Sequence, residues 1–267
     1  MTTSPTDGGY APVNGLRLYY ERRGTGGTPL VVLHGGYGTI ELLGDLPDRL
    51  AGDRQVITVE LQGHGHTADI DRPLTYEALG DDIGALIAHL GLERADVMGY
   101  SLGGGAALQA AIQHPDLVRK LVLVSTPFSS TGWYPDNIAQ MQQMGRGLFE
   151  NLRHTPLFAA YTAVAPDPDG FPDVMDKVGD LLRTQYDWSE AVQGLPMPVL
   201  LAFGDADSLP LSYVSRFYAL LGGDQSDGGW DGSGRVASQV AVLPATTHYD
   251  SYASPLLPGL VNTFLEG

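Results

Sequence analysis

No cysteine occurs among the 267 residues, which excludes disulfides, a thiolate nucleophile and any thiolate metal site. Basic residues are scarce: 15 Lys and Arg stand against 31 Asp and Glu, for a formal net charge of −16. Binding to phosphate backbones needs a basic face that this composition does not supply, so no nucleic-acid partner is expected. An anionic membrane is disfavoured on the same ground. The carboxylates are scattered rather than gathered into a tail, which reads as an acidic, solvated surface and speaks to solubility, not fold. Long hydrophobic runs are missing too. The longest, such as Pro198–Phe203, fall far short of the roughly 20 residues that cross a bilayer as a helix. The opening MTTSPTDGGY carries neither the basic nor the apolar region of a secretory signal, so a cytoplasmic protein is expected. No dinucleotide fingerprint is present. Gly103–Gly105 lacks the Lys-Ser/Thr that follows a phosphate loop, and no cofactor is inferred.

What is present is the composition of a globular chain, 43% hydrophobic with 35 Gly and 18 Pro marking many turns, long enough to bury a core without staples. Short apolar runs alternate with longer helical patterns, the mark of a largely parallel sheet covered by helices. Strands are predicted at Leu16–Glu21, Pro29–Leu33, Gln55–Glu60, Ala95–Gly99 and Lys120–Val124. A helix is predicted over Thr75–Leu90, where Leu79, Ile83, Leu86, Ile87 and Leu90 recur at helical spacing behind a Thr75 cap. Another runs from Leu102 to about Gln113.

Between Phe128 and about Leu195 the strand rhythm stops. Prolines and aromatics become frequent, and helical stretches are predicted around Asn137–Leu152 and Pro172–Tyr186. Strands resume at Pro198–Phe203 and Ser238–Leu243, before a closing helix near Pro255–Leu265. The division expected is a core of residues 1–127 and 196–267, with 128–195 as a helical lid over the sheet's edge. Gly222–Gly234 reads as a flexible surface loop.

The chemistry centres on Gly99-Tyr100-Ser101-Leu102-Gly103, between a predicted strand and a predicted helix. A nucleophilic serine has to sit on a tight strand-to-helix turn, and small flanking residues let the backbone pass closely. Serine alone is a poor nucleophile, so it needs a base and a group that fixes the base's tautomer. Two further strands supply candidates at their carboxyl ends, where ligands gather in such sheets: Asp205 and Asp207 after PVLLAF, and His248 after QVAVLP. One oxyanion donor is expected to be the backbone N–H of Leu102, the residue after the serine.

With His34-Gly35-Gly36, Gly63-His64-Gly65, Gly99–Gly103, Gly204–Asp207 and His248 in this order, the chain resembles the α/β-hydrolase superfamily, in its serine-nucleophile branch, from about Leu16 to the last helix. The resemblance implies a mostly parallel sheet flanked by helices, with a helical lid inserted after the sixth strand. It implies Ser101 as nucleophile, His248 as general base and Asp207 as the acid, with Asp205 as the fallback. No carboxylate stands in Val124-Ser125-Thr126, where some members carry the acid instead. The resemblance also implies a second oxyanion donor in the turn after His34-Gly35, with Gly36 preferred over Tyr37.

After the fourth strand, Glu60-Leu61-Gln62-Gly63-His64-Gly65-His66-Thr67 departs from the D-x-x-G-x-G-x-S of many relatives, which weakens any assignment to a subfamily. His64 and His66 are two apart, but no carboxylate or cysteine pattern accompanies them, so turn roles are preferred to metal binding. His34 is expected to stabilise its own turn.

The lid holds Trp133, Tyr134, Met141, Met144, Phe149, Phe158, Tyr161, Phe171, Tyr186 and Trp188. Most are expected to pack the lid onto the body. Trp133, Tyr134, Met141 and Met144, with Tyr37 and Tyr100, are expected to line an apolar pocket for a small molecule. The function expected is hydrolysis of a carboxylic ester or lactone through an acyl-enzyme. The same residues permit a carbon–carbon bond hydrolase, an iminopeptidase or a cofactor-free haloperoxidase. A ligand receptor on a hydrolase fold is the alternative from another class, told apart by its lack of multiple turnover.

Overall fold

The structure, a computed structural model, describes residues 7–267; the first six residues of the opening segment, read above as leaderless, lie outside it. Among the described residues no helix is long and apolar enough to cross a membrane. Eight strands form one sheet: β1 (Asp7–Val13), β2 (Leu16–Arg23), β3 (Leu30–Leu33), β4 (Val56–Val59), β5 (Ala95–Tyr100), β6 (Val118–Val124), β7 (Val199–Ala206) and β8 (Gln239–Thr247). Their spatial order is β1-β2-β4-β3-β5-β6-β7-β8. β2 pairs antiparallel with β1 and β4, and every pairing from β4 to β8 is parallel.

The helices, in chain order, are α1 (Leu46–Leu50), α2 (Tyr76–His89), α3 (Leu102–Gln113), α4 (Pro135–Met141), α5 (Phe149–Leu152), α6 (Pro156–Val164), α7 (Phe171–Arg183), α8 (Ser189–Gln193), α9 (Leu211–Leu220) and α10 (Leu257–Glu266). Successive strand residues point to opposite faces, and both faces of this sheet are covered. Val31, Leu33, Val97, Leu121 and Leu201 join α2, α3 and α9 in one core. Leu30, Val32, Met98, Val122 and Leu200 join α1 and α10 in another. Burial on both faces is why these strands read as continuous apolar runs rather than alternating ones.

The structure adds β1, which pairs with β2 across an Asn14-Gly15 turn at φ 46 and 85. It also adds α9, and it extends β7 and β8 beyond their predicted ends. The helical stretch expected at Asn137–Leu152 is broken: α4 stops at Met141, and Gly145 sits at φ 150, a conformation essentially confined to glycine. Residues 128–195, between β6 and β7, carry α4 to α8. The entry and exit of this segment are pinned together, with Ser129 bridging Asp187 and the Trp188 N–H donating to the Phe128 carbonyl at 3.0 Å.

Candidate active site

Ser101 lies between the end of β5 and the start of α3 and adopts φ 53, ψ −116, a region that costs a non-glycine residue about 1–3 kcal/mol. The glycines on either side make the turn possible. A Cβ on Gly99 would stand 2.2 Å from the Gly103 carbonyl oxygen, and one on Gly103 2.2 Å from that of His34. The serine N–H is held by the Val124 carbonyl at 3.0 Å, leaving the hydroxyl free to face the carboxyl edge of the sheet.

β7 and β8 run parallel to β5, so their carboxyl ends deliver Asp207 and His248 to the same edge. Ser101 Oγ is 3.0 Å from His248 Nε2, and His248 Nδ1 is 2.9 Å from Asp207 Oδ1. A carboxylate only accepts, so the Nδ1 proton belongs to this pair and Nε2 is left to accept from the serine hydroxyl. Burial works to raise the Asp207 pKa. The hydrogen bond and charge of His248, with donors from Ser125 and Gly204, outweigh it and hold the carboxyl below its ordinary range. Asp205 is exposed and accepts instead from the Ala245 and Thr246 N–H groups at 3.0 and 3.1 Å. Tyr100 donates its hydroxyl to the His248 carbonyl at 2.8 Å, and Trp133 packs edge-on to the imidazole with centroids 5.2 Å apart.

The two oxyanion candidates after β3 separate cleanly. The Tyr37 N–H donates to His64 Nε2 at 3.0 Å, so it is spent. The Gly36 N–H has no protein partner among the described residues, and the Leu102 N–H opens α3, where amides have no intrahelical acceptor. His34 and His64 are turn braces. His34 Nε2 accepts from the Leu61 N–H at 3.2 Å while Nδ1 faces the Gly35 carbonyl at 2.7 Å. His64 Nδ1 faces the Gln62 carbonyl at 2.8 Å. Burial keeps both neutral, pushing His34 down to about 3, helped by the nearby His64, and His64 down to about 4.

These groups open on a cavity of about 370 Å³ whose walls include Gly36, Tyr37, Tyr100, Leu102, Trp133, Met141, Met144, Leu157, Val178 and Leu182. Tyr134 is the exception among the residues expected there. It is 45% exposed and stands at the N-cap of α4, away from the cavity lining. The other lid aromatics pack on one another: Phe149, Phe158 and Tyr161 gather around Phe171, and Tyr186 stacks on Trp188.

A family model described as alpha/beta hydrolase fold matches residues 28–163, just over half of the chain. The chain belongs to the alpha/beta hydrolase fold family. Among curated proteins, the dihydrolipoyllysine-residue acetyltransferase component of the acetoin cleaving system of Pseudomonas putida is 35% identical over 117 residues. That match covers 43% of this chain and 32% of the relative, so the chain spans about a third of that relative's length. A pimeloyl-[acyl-carrier protein] methyl ester esterase of Neisseria meningitidis serogroup C is 28% identical over 256 residues, covering 88% of this chain and 93% of that protein. Among solved structures, the enol-lactonase of Burkholderia xenovorans LB400 superposes with TM-score 0.70 at 21% identity, over 97% of this chain and 100% of that one. E-2-(acetamidomethylene)succinate hydrolase gives 0.73 at 21% identity, over 98% and 100%.

Two features of this alpha/beta hydrolase escape a reading of its sequence. Ser125, at the end of β6, donates to Asp207 Oδ2 at 2.5 Å; a serine just beyond the strand next to the one bearing the acid was its only signal. His66 does have carboxylate company. Glu60, fully buried, accepts from the His66 N–H at 2.6 Å and lies 2.9 Å from its Nδ1, and with Glu41 the three offer donor atoms within 4.8 Å of one another. Glu60 also accepts from the Ile40 N–H at 3.1 Å, so its oxygens already brace the turns after β3 and β4.

Proposed function

We propose that this protein is a serine hydrolase that cleaves a carboxylic ester or lactone of a small, apolar, uncharged molecule. The observation that carries the reading is the hydrogen-bonded series Ser101–His248–Asp207 opening onto a cavity whose lining includes no Asp, Glu, Lys or Arg. Ser101 Oγ attacks the carbonyl carbon as His248 Nε2 takes the hydroxyl proton, and Asp207 holds the imidazolium in place. The tetrahedral oxyanion is received by the Leu102 and Gly36 N–H groups, each such donor contributing about 2.7–4 kcal/mol to the barrier reduction. His248 then gives its proton to the leaving alkoxide. Water, activated by the same nitrogen, releases the acyl group and regenerates the serine.

An uncharged substrate fits both the lining and the molecule's charge, because an anion would meet a net −16 surface with no cation waiting inside. The segment 128–195 acts as a lid. Trp133, Met141, Met144, Val178 and Leu182 from it contribute apolar wall, which shields the acyl group from bulk water. The names of the Neisseria relative, a methyl ester esterase, and of the Burkholderia neighbour, an enol-lactonase, lie in the same chemical class.

The test is turnover of nitrophenyl esters of graded acyl length by the wild type and by Ser101→Ala. Loss on the order of 10⁶-fold in the variant is expected, as for other triads, and the length profile measures the cavity. An undiminished rate in Ser101→Ala would remove the assignment.

A further inference from the structure

Behind the triad, away from the cavity, lies a second set of hydroxyls that the proposed reaction does not use. Ser125 and Ser251 are both fully buried, and neither belongs to the cavity lining. Ser125 Oγ is 2.5 Å from Asp207 Oδ2 and 2.8 Å from Ser251 Oγ, and Ser251 Oγ is 3.2 Å from the His248 carbonyl.

The directions of these bonds follow from counting protons. Each hydroxyl has one to give, and an ionised carboxylate has none. Ser125 therefore donates to Asp207 and is free to accept from Ser251. The 2.8 Å contact between the two serines needs a proton, and with that of Ser125 spent on Asp207 it comes from Ser251, whose other neighbour, the His248 carbonyl, is farther away at 3.2 Å. The chain runs Ser251 to Ser125 to Asp207, and from the other side His248 donates to Asp207. In a buried site each bond in such a chain strengthens the next.

The backbone points the same way. Ser125 sits at φ 50, where a serine is strained and a glycine is not. A strained conformation at the end of β6 is retained at a point where glycine would relieve it but carry no hydroxyl. The carboxylate has two oxygens and four donors: His248 Nδ1 and the Ser208 N–H on Oδ1, Ser125 and the Gly204 N–H on Oδ2. Of these, Ser125 alone can be removed without touching the backbone of the acid's own loop or the base itself.

We propose that Ser125, backed by Ser251, is a positioning residue: its hydroxyl fixes the plane of the Asp207 carboxylate so that Oδ1 faces His248 Nδ1. This rests on the reading of Ser101, His248 and Asp207 as a catalytic triad. Because Ser125 stands outside the cavity, its loss lowers kcat and leaves KM unchanged.

The experiment compares Ser125→Gly, Ser125→Ala and wild type in the full chain. Glycine removes the hydroxyl and the strain together; alanine removes the hydroxyl and keeps the strain. Expected for both is a kcat loss of roughly 10- to 100-fold, the usual weight of a hydrogen bond to a buried charge, at unchanged KM. Ser125→Gly is expected to melt no lower than wild type, which separates positioning from folding. The second readout needs no substrate: the downfield proton resonance of the His248 Nδ1–H, assigned by its disappearance in Asp207→Asn, shifts or broadens in both variants. An unaltered resonance together with wild-type kcat in Ser125→Gly would overturn the proposal. If wild type turns over no ester, the triad reading is in difficulty, and the resonance still decides whether Ser125 orders the pair.

Discussion

Two carboxylates stand two residues apart at the end of β7, and what separates them is the donors each receives. Asp207 is buried beneath His248 and accepts the hydrogen bond of its Nδ1–H. Asp205 faces solvent and caps the Ala245 and Thr246 amides, two bonds that hold its own carboxyl below the ordinary range and Ala245 at φ 52. On the proposed mechanism, Asp207→Asn lowers kcat/KM on the order of 10⁴-fold, because an amide at that place favours the wrong imidazole tautomer. Asp205→Asn changes it only a few-fold and acts on the β8 turn instead. Steady-state kinetics on one ester checks both, and equal losses would mean the acid has been assigned to the wrong residue. Spacing alone offers either carboxylate; burial decides between them, and burial is a property of the folded chain. The choice between the Gly36 and Tyr37 amides is of the same kind. It turns on His64, 27 residues away from Tyr37, whose Nε2 takes up the Tyr37 N–H. No local pattern at His34-Gly35-Gly36-Tyr37 could reveal that.

At the scale of elements, α3 lies so close to the sheet on one side and to α2 on another that three glycines in its first turn have no room for a methyl group. A Cβ on Gly103 would meet the His34 carbonyl at 2.2 Å, one on Gly104 Thr126 Oγ1 at 1.7 Å, and one on Gly105 the Tyr76 ring at 2.3 Å. The first obstacle is backbone and cannot rotate away. Gly103→Ala is therefore expected to destabilise the fold by about 1–3 kcal/mol or more, read as a lower urea midpoint at unchanged slope; a midpoint equal to wild type would show that α3 can move off β3. The buried strands and the capped, periodic α2 were legible in the sequence because their pattern is local and strong. β1 was not, since DGGYAPV carries little apolar signal, although the Asn14-Gly15 pair at its end is the usual mark of a two-residue hairpin. The broken helices of residues 128–195 were blurred for a different reason. α4 and α5 are short and lack a continuous apolar face, and the separation between them is set by Gly145 at φ 150, which a periodicity count passes over.

For the molecule as a whole, the two buried braces His34 and His64 couple stability to pH. Both stay neutral in the native state down to about 3 and about 4, against an ordinary value of 6.5. Below pH 6.5 the unfolded chain binds protons at these positions and the native chain does not, so stability falls with pH until each native imidazole titrates. Each contributes about 1.4 kcal/mol per pH unit within its window. Other groups act in the same range. Glu60 and Asp96, whose burial raises their pKa values, work in the opposite sense because the native state takes their protons first. The net charge of −16 also relaxes as acid is added. Comparison with His64→Gln isolates one brace, since the carboxylates and the surface charge are common to both proteins. The glutamine carbonyl can still accept the Tyr37 N–H, so the variant is expected to fold. The stability difference between wild type and His64→Gln should shrink by about 1.4 kcal/mol for each pH unit from 6.5 down to about 4. Urea titrations at high salt make the measurement specific, because surface repulsion is screened there and a buried imidazole is not. A difference that stays constant across that range would mean His64 is protonated in the native state, and the turn carrying Tyr37 would then need another acceptor.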